Sequence, residues 1–373
     1  MPIDYMIEDV MESLVEQGGS DMHIQAGAPI FFRLSGKLTP QPQFGESLAP
    51  DECQRLIFSM LNNNQRKDLE QNWELDCAYG VKGLARFRVN VYRERGCFAA
   101  CLRALASQIP NFEKLGVPEI MREMAERPRG MILVTGQTGS GKTTTMAAIL
   151  DLINRTRSEH ILTVEDPIEY VFPNIKSLFH QRQKGEDTKS FANALKAALR
   201  EDPDIILVGE MRDLETISLA ISAAETGHLV FGTLHTNSAS ATIDRMLDVF
   251  PPIQQPQIRA QMSGSLVGVC SQNLLRKVGG GRRAAQEIMV NTPAIGNLIR
   301  EGKTSQIYSA IQMGRQVGMR TMEMSLAKLV NEGMVTYEEA LSKTSKLEEM
   351  QRLIDPQAAN KGGKAGKKTA AKK

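Results

Sequence analysis

Four short apolar runs, separated by stretches of helical pattern, dominate the chain after about residue 119. They read "GMILVTG", "HILTVEDP", "DIILVGE" and "HLVFGTLHT", and each has a polar residue at its end. Apolar strands that alternate with helices indicate a mostly parallel sheet covered on both faces. Ligands of such sheets bind at the carboxyl ends of the strands. The pattern therefore predicts an α/β fold with one site where the four runs end.

Residues 1–106 have a different pattern, typical of an α+β domain. A helical pattern covers residues 3–16, and "ARFRVNVYRERG" alternates Phe87, Val89 and Val91 with polar side chains, as a half-buried strand does. Gly96 is expected at a hairpin turn. Residues 107–118 carry two prolines and a glycine, which indicates a linker. We therefore predict an N-terminal domain over 1–106, the linker, a second domain over 119–355 and a tail over 356–373.

The stretch "TPAIGNLIREG" predicts one short amphipathic helix near the end of the chain. Thr292 can cap this helix, Pro293 suits its first turn and Gly302 can end it. Residues four apart share a helix face. The expected apolar face, which we place against the core, consists of Ala294, Ile295, Leu298 and Ile299.

The composition is that of an ordinary globular protein, with 42% hydrophobic and 24% charged residues among 373. No apolar run approaches the ~18 residues that a membrane-spanning helix needs. The N-terminal segment is acidic and lacks the apolar core of a signal peptide, so a cytoplasmic location is expected. Five scattered cysteines without a C-x-x-C pair support neither a zinc site nor a disulfide framework.

The net charge of the chain depends on its C-terminal tail. The tail after Asp355 carries six lysines and no acidic residue, so leaving those six out turns the net charge of +2 into −4 for residues 1–355. A mildly acidic folded part does not favour a nucleic-acid partner. The tail itself has low complexity and is expected to be disordered.

The segment "GQTGSGKT" matches the P-loop pattern and lies between a predicted strand and a predicted helix. In a P-loop, backbone N–H groups surround phosphate oxygens, the lysine neutralises the β- and γ-phosphates, and the hydroxyl residue after it reaches Mg²⁺. ATP and Mg²⁺ are therefore the expected ligands. The predicted nucleotide-binding residues are Gly136, Thr138, Gly139, Ser140, Gly141, Lys142, Thr143 and Thr144.

Carboxylates follow two of the other apolar runs. Glu210 ends "DIILVGE" and could hold Mg²⁺ or its water ligands together with Thr143. The segment "TVEDPIEY" offers Glu165, Asp166 and Glu169, one of which could orient or deprotonate the attacking water. The spacing alone does not choose among these three.

Two histidines, His228 and His235, flank the last apolar run. Their separation of seven residues is not the i, i+4 spacing of a helical metal site. His235 lies at the carboxyl end of the run, where it could sense the γ-phosphate. Histidine serves both as a catalytic group and as a structural hydrogen-bonding group, so both interpretations stay open at this point.

The order of these motifs resembles that of the type II/type IV secretion ATPase superfamily. The matching segments are a Walker A "GQTGSGKT", an Asp box "TVEDPIE", a Walker B "LREDPDIILVGEMRD" and a His box "GHLVFGTLHT". The likeness covers about residues 3–350. It implies a RecA-like P-loop ATPase domain, an N-terminal α+β PAS-like domain and a homohexameric ring that hydrolyses ATP with Mg²⁺.

The resemblance also implies particular roles. It assigns the catalytic glutamate to Glu169 and the Walker B glutamate to Glu210, beside Lys142 of the P-loop. It implies that ATP lies between the two domains, where Arg88 and Arg103 complete the site and Arg86 is a less certain member. The two histidines of its His box correspond to His228 and His235.

The pilus retraction members of this superfamily are the most similar in pattern. Extension and secretion ATPases usually carry an extra N-terminal domain and four cysteines in the ATPase domain. Here the chain starts at the PAS-like domain and only Cys270 lies beyond residue 120. Retraction members typically read "AIRNLIRE", where this chain has "AIGNLIRE" with Gly296. The resemblance implies type IV pilus retraction and twitching motility, at the inner membrane and with the pilus platform protein.

Other functions remain as alternatives. Gly296 leaves room for an accessory paralogue of the retraction ATPase, which would work beside a second pilus ATPase. An extension or secretion ATPase and a RecA-like DNA motor are the remaining alternatives. DNA-stimulated ATP hydrolysis would indicate the last of these.

Overall fold

The structure, a computed structural model, describes residues 4–105 and 108–354, and these residues divide into two units. The first unit holds the described residues up to Ile109 together with Pro167–Val171. The second unit holds Pro110–Asp166 and the described residues from Phe172 onwards. The tail predicted over residues 356–373 lies outside the described residues. The tail and the predicted domain limits therefore stay predictions.

A six-stranded antiparallel sheet forms the first unit, with strand order β3-β2-β1-β6-β5-β4. Three helices and a 3₁₀ turn at Pro42–Phe44 accompany the sheet. The strands are β1 Asp21–Ile24, β2 Phe31–Leu34, β3 Lys37–Pro40, β4 Glu74–Val81, β5 Ala85–Glu94 and β6 Cys97–Ala104. The helices are α1 Ile7–Glu16, α2 Pro50–Ser59 and α3 Asn63–Asn72.

The predicted strand hairpin of this unit is confirmed. Phe87, Val89 and Val91 are fully buried in β5, while Arg88 between them is exposed. Gly96 adopts φ +82° in the turn to β6. The first helix begins at Ile7 rather than at residue 3, because Met6 is extended and its N–H is capped by the Asp9 carboxylate. The buried side chains of α1 and α2 pack with those of β5 into one core.

A seven-stranded sheet forms the second unit, with strand order β13-β12-β7-β11-β10-β8-β9. All neighbouring strands are parallel except the pair β12–β13. The strands are β7 Gly130–Thr135, β8 His160–Glu165, β9 Leu178–Gln183, β10 Ile205–Val208, β11 Leu229–Leu234, β12 Leu266–Arg276 and β13 Arg282–Val290.

Helices alternate with the strands of this sheet and continue beyond it. Short 3₁₀ turns lie at Thr304–Gln306 and Gly314–Val317. The helices are α4 Phe112–Leu115, α5 Glu119–Ala125, α6 Lys142–Thr156, α7 Phe191–Ala198, α8 Leu214–Glu225, α9 Ala239–Asp248, α10 Gln255–Ser265, α11 Pro293–Arg300, α12 Ile307–Met313, α13 Met322–Asn331, α14 Tyr337–Leu341 and α15 Leu347–Leu353. The short helix α4 lies within the predicted linker.

The apolar runs predicted from the sequence are the inner strands β7, β8, β10 and β11. Every residue of β7, β10 and β11 is buried. Successive side chains of a strand point to opposite faces, so burial of every residue means that both faces of the sheet are covered. The α/β, P-loop type of fold predicted for this unit is confirmed.

The helix predicted in "TPAIGNLIREG" is α11. The Thr292 hydroxyl accepts from the N–H of Ile295, Pro293 is the first helical residue, and Gly302 follows with φ +70°. One expectation was wrong: Ala294 is exposed, whereas Gly296 is buried. The reason is that α11 packs against α10, where the backbone carbonyl of Ser263 approaches position 296.

Candidate functional site

The predicted site residues of the second unit, His228 excepted, follow four neighbouring parallel strands. The P-loop follows β7, the Asp box follows β8, Glu210 follows β10 and His235 follows β11. Parallel strands end at the same edge of a sheet, so these segments lie side by side at its carboxyl edge. The convergence that the sequence predicted is therefore present.

The P-loop makes a tight turn between β7 and α6. Gly136 has φ +147°, and a Cβ added there would lie 2.4 Å from the carbonyl oxygen of Gln272 and 2.5 Å from the Ser140 hydroxyl. Only glycine fits such a position without displacing a neighbour. Gly139 and Gly141 also have positive φ. The turn leads into Lys142, Thr143 and Thr144 at the start of α6, and the N-terminus of a helix attracts anions.

Lys142 is held against its own loop in the structure. Its Nζ donates to the carbonyl oxygens of Gly136 at 2.8 Å and Gln137 at 3.2 Å. A phosphate group has the charge to compete with neutral carbonyls for this ammonium. The side chain is therefore placed to exchange loop contacts for phosphate contacts.

Glu210 and His235 form a contact at the centre of this edge. Nε2 of His235 lies 2.9 Å from Oε1 of Glu210, and Nε of Arg212 donates to the same oxygen. Burial, and then the charge of Lys142, lower the pKa of His235 below its ordinary 6.5, while Glu210 acts in the opposite direction. At neutral pH the ring is therefore neutral, and its Nε2–H donates to the carboxylate.

Two of the three candidate carboxylates of the Asp box have structural partners. Glu165 is 6% exposed and accepts hydrogen bonds from Thr163 at 2.7 Å and Gln181 at 3.2 Å. Asp166 pairs with Lys184 at 2.8 Å. Glu169 lies in Pro167–Val171, the segment that groups with the first unit. Its catalytic role stays a prediction.

His228 does not lie with His235. It immediately precedes β11, and its carbonyl oxygen accepts from the N–H of Gly130, the first residue of β7. Its Nδ1 lies 3.0 Å from the carbonyl oxygen of Ala223. His228 is thus at the amino edge of the sheet, whereas the P-loop of the same chain is at the carboxyl edge.

The candidate arginines belong to the first unit. Arg88 on β5 and Arg103 on β6 are opposite each other in the antiparallel register. Arg103 also donates from Nε to Asp21 at 2.8 Å, and Arg33 lies 3.8 Å from the same carboxyl group. Arg86 lies on the same side of β5 as Arg88 and is less exposed. The structure therefore brings Arg88 and Arg103 together, and their contribution to ATP hydrolysis stays a prediction.

Sequence reasoning missed the buried polar residues on β12 that contact the P-loop. Ser271 lies 2.7 Å from Thr135 between the two hydroxyl oxygens, and Gln272 donates to the Ser140 carbonyl. The available signal was "CSQN", a polar interruption in an otherwise apolar run that carries no catalytic motif. Buried polar groups need partners, and here those partners lie in or next to the P-loop.

A cavity of about 780 Å³ opens at the opposite, amino edge of the seven-stranded sheet. Gly130 at the start of β7, Leu266 at the start of β12 and Gly296 of α11 line it. The helix "TPAIGNLIREG" is therefore remote from the P-loop within this unit.

Comparison with known proteins identifies the family. The model for the type II/IV secretion system protein family matches residues 1–280. The chain belongs to this family. A crystal structure of the pilus retraction motor PilT with bound ADP is 50% identical, with a TM-score of 0.88 over 94% of this chain and 100% of the PilT chain.

Two relatives from Pseudomonas aeruginosa are similar to this chain to different degrees. The type IV pilus retraction ATPase PilT is 50% identical over 90% of this chain and 97% of its own length. The type IV pilus ATPase PilU is 35% identical over 93% of this chain and 91% of its own length. Together with the complete P-loop, these likenesses establish a nucleotide-binding ATP hydrolase.

Proposed function

We propose that this ATP hydrolase is the motor that retracts a type IV pilus and so drives twitching motility. The observation that carries the proposal is the 50% identity to a retraction ATPase, extending over 97% of that relative. A likeness that spans both units favours a shared activity more than a match to the P-loop alone would. The intact P-loop and the Glu210–His235 pair would supply part of the chemical groups that hydrolysis needs.

The proposed roles combine the carboxyl edge of the second unit with residues of the first unit. The P-loop N–H groups and Lys142 would hold the β- and γ-phosphates, and Glu210 at the same edge would act on Mg²⁺ or its water ligands. Glu169 is the proposed residue that activates water, since Glu165 and Asp166 already have structural partners. Arg88 and Arg103 would stabilise the charge that develops on the transferred phosphoryl group.

Mg²⁺ fits the donor set of this edge. Nucleotide-bound Mg²⁺ takes only one or two protein oxygen ligands and fills its octahedron with phosphate oxygens and water. The Thr143 hydroxyl and the Glu210 carboxylate supply such oxygens, with Glu210 acting partly through water. In the described ranges 4–105 and 108–354 there is no cluster of three or more His, Cys, Asp or Glu side chains that could hold a metal ion.

The proposed assembly is a cytoplasmic homohexamer at the pilus base, peripherally associated with the inner membrane and acting on the platform protein. Within residues 4–105 and 108–354, no helix is long and apolar enough to span a membrane.

Deletion of the gene tests the direction of the motor. The proposal expects more surface pili and no twitching motility, and complementation with a Lys142→Ala variant should leave both defects in place. Unchanged motility with Lys142→Ala present at normal protein level would contradict the motor. Loss of pili on deletion would instead indicate an extension ATPase.

An accessory, PilU-like motor is the second candidate, because Gly296 departs from the retraction pattern. The two candidates differ in a strain without any other retraction ATPase. A principal motor restores twitching motility there by itself, whereas an accessory motor does not.

A further inference from the structure

The side chain of Gln272 lies where the regular pairing between β7 and β12 stops. The two strands pair in parallel as far as Ser271 and Thr135, the last residue of β7, and the residue after it is Gly136, the first residue of the P-loop. Gln272 is 1% exposed. The buried carboxamide of Gln272 therefore lies beside the P-loop, whose backbone no longer pairs with β12.

Both ends of this carboxamide contact the nucleotide-binding segment. Nε2 donates to the Ser140 carbonyl at 2.7 Å, and Oε1 accepts from the Thr145 hydroxyl at 3.0 Å. A carbonyl oxygen can only accept, so the amide nitrogen must face Ser140. The orientation of the carboxamide thus follows from chemistry.

A second buried layer supports this orientation. Nε2 of Gln286, on the neighbouring strand β13, lies 3.5 Å from Oε1 of Gln272. Arg320 donates to the Gln286 side chain at 3.2 Å and to its carbonyl oxygen at 3.0 Å. The Gln272 side chain is therefore also positioned from the side of β13, by groups that lie outside the P-loop and α6.

The contact matters because a P-loop turns its N–H groups towards phosphate. Its carbonyl groups must then point away, into the protein, and each buried carbonyl needs a donor. We propose that Gln272 is a positioning residue of the P-loop. By holding the Ser140 carbonyl towards β12, it keeps the N–H groups of the loop directed at the phosphate site before nucleotide binds. The effect is on nucleotide affinity more than on the rate of the bound complex.

Gln272→Glu tests the proposal. Glutamate has the same shape and can still accept from Thr145; as a carboxylate it presents an oxygen, not a donor, to the Ser140 carbonyl, whereas Gln272→Leu cannot donate at any pH. We expect about tenfold weaker ADP and ATP binding, the order of effect of one buried acceptor left without its donor. KM for ATP should rise in parallel, while kcat at saturating ATP changes less than KM. Calorimetric titration with ADP and steady-state hydrolysis give these values for the full chain.

Asn154→Asp is the matched control. Asn154 is a fully buried carboxamide at the other end of α6, and its Nδ2 donates to the Pro173 carbonyl at 2.7 Å. The same change of donor to acceptor should lower stability there without altering nucleotide affinity. Gln272→Leu, which removes both hydrogen bonds, replaces Gln272→Glu if the charged variant does not fold.

Comparing the Gln272 variants with Asn154→Asp decides whether Gln272 positions the P-loop. Weaker ADP binding by the Gln272 variants, together with normal binding by Asn154→Asp at equal loss of stability, supports the positioning role. Normal ADP affinity in the Gln272 variants would overturn the proposal and leave Gln272 a structural residue. Equally weak binding by Asn154→Asp would also overturn it, since affinity would then follow stability alone.

Discussion

His235 donates from Nε2 to Oε1 of Glu210 across 2.9 Å, so the residue that follows β11 holds the carboxylate that follows β10. The lowered pKa of His235 keeps the ring neutral at neutral pH. Glu210 also accepts from Nε of Arg212, so its carboxylate has a cationic partner as well as this neutral donor. The contact joins the ends of two neighbouring strands at the carboxyl edge of the sheet.

Stability at acid pH should depend on His235. Its folded pKa lies below the ordinary 6.5, so the unfolded chain takes up a proton first as the pH falls. The contribution of His235 to stability is therefore complete above about pH 6.5 and is lost as the pH falls towards the folded pKa. His235→Gln keeps a donor near Glu210 but does not titrate.

Urea unfolding at about pH 7.5 and about pH 5.5 measures this contribution. The wild-type protein should lose more unfolding free energy between the two pH values than His235→Gln does. An equal loss in both proteins would show that the ring is not held neutral by its surroundings.

Gly136→Ala should weaken nucleotide binding, because alanine at this position meets a steric clash in addition to an unfavourable φ. A Cβ at this position would lie 2.4 Å from the Gln272 carbonyl oxygen, so the loop or β12 must shift. We expect at least about tenfold weaker ADP binding, which corresponds to about 1.4 kcal/mol. Gly279→Ala is the control, because Gly279 has φ +86° with no atom within 4 Å of an added Cβ. That variant should cost about 1 kcal/mol of stability and leave ADP affinity unchanged.

Arg103→Ala should reduce kcat for ATP hydrolysis on the order of 10²-fold or more, since arginine fingers contribute ~10³–10⁵ in GTPases. Arg33→Ala is the matched control, because Arg33 is the second arginine near the Asp21 carboxyl group. Hydrolysis assays on both variants separate a catalytic effect of Arg103 from the effect of removing a cation next to Asp21. Similar kcat values for the two would remove Arg103 from the catalytic set.

Gly296→Arg should leave hydrolysis within about twofold of wild type, a difference of only about 0.4 kcal/mol. The residue lines the cavity at the amino edge of the sheet, opposite the P-loop. An added Cβ would lie 3.3 Å from the Ser263 carbonyl and 3.4 Å from Asn291 Oδ1, contacts that small shifts can relieve. Twitching motility and hydrolysis measured together check this. A large fall in hydrolysis by stably folded protein would connect α11 to the catalytic edge.

Local pattern predicted the inner strands, the hairpin around Gly96 and the helix α11 because each depends on neighbours in sequence. Unbroken apolar runs mark strands buried on both faces, and β7, β10 and β11 are such strands. The exposure of Ala294 was missed, since the orientation of α11 depends on α10, which lies about thirty residues earlier in the chain. Periodicity gives the faces of a helix but does not say which neighbour covers each face.

The sequence by itself determined the P-loop chemistry, since its glycines, Lys142 and Thr143 are adjacent and act through local backbone geometry. It also determined that four strands bring their polar ends to one edge. Only the tertiary structure decided that Glu210 contacts His235, that His228 lies at the opposite edge, and that Gln272 contacts the P-loop from β12. Those contacts depend on strand order and register, which arise from packing between segments far apart in sequence.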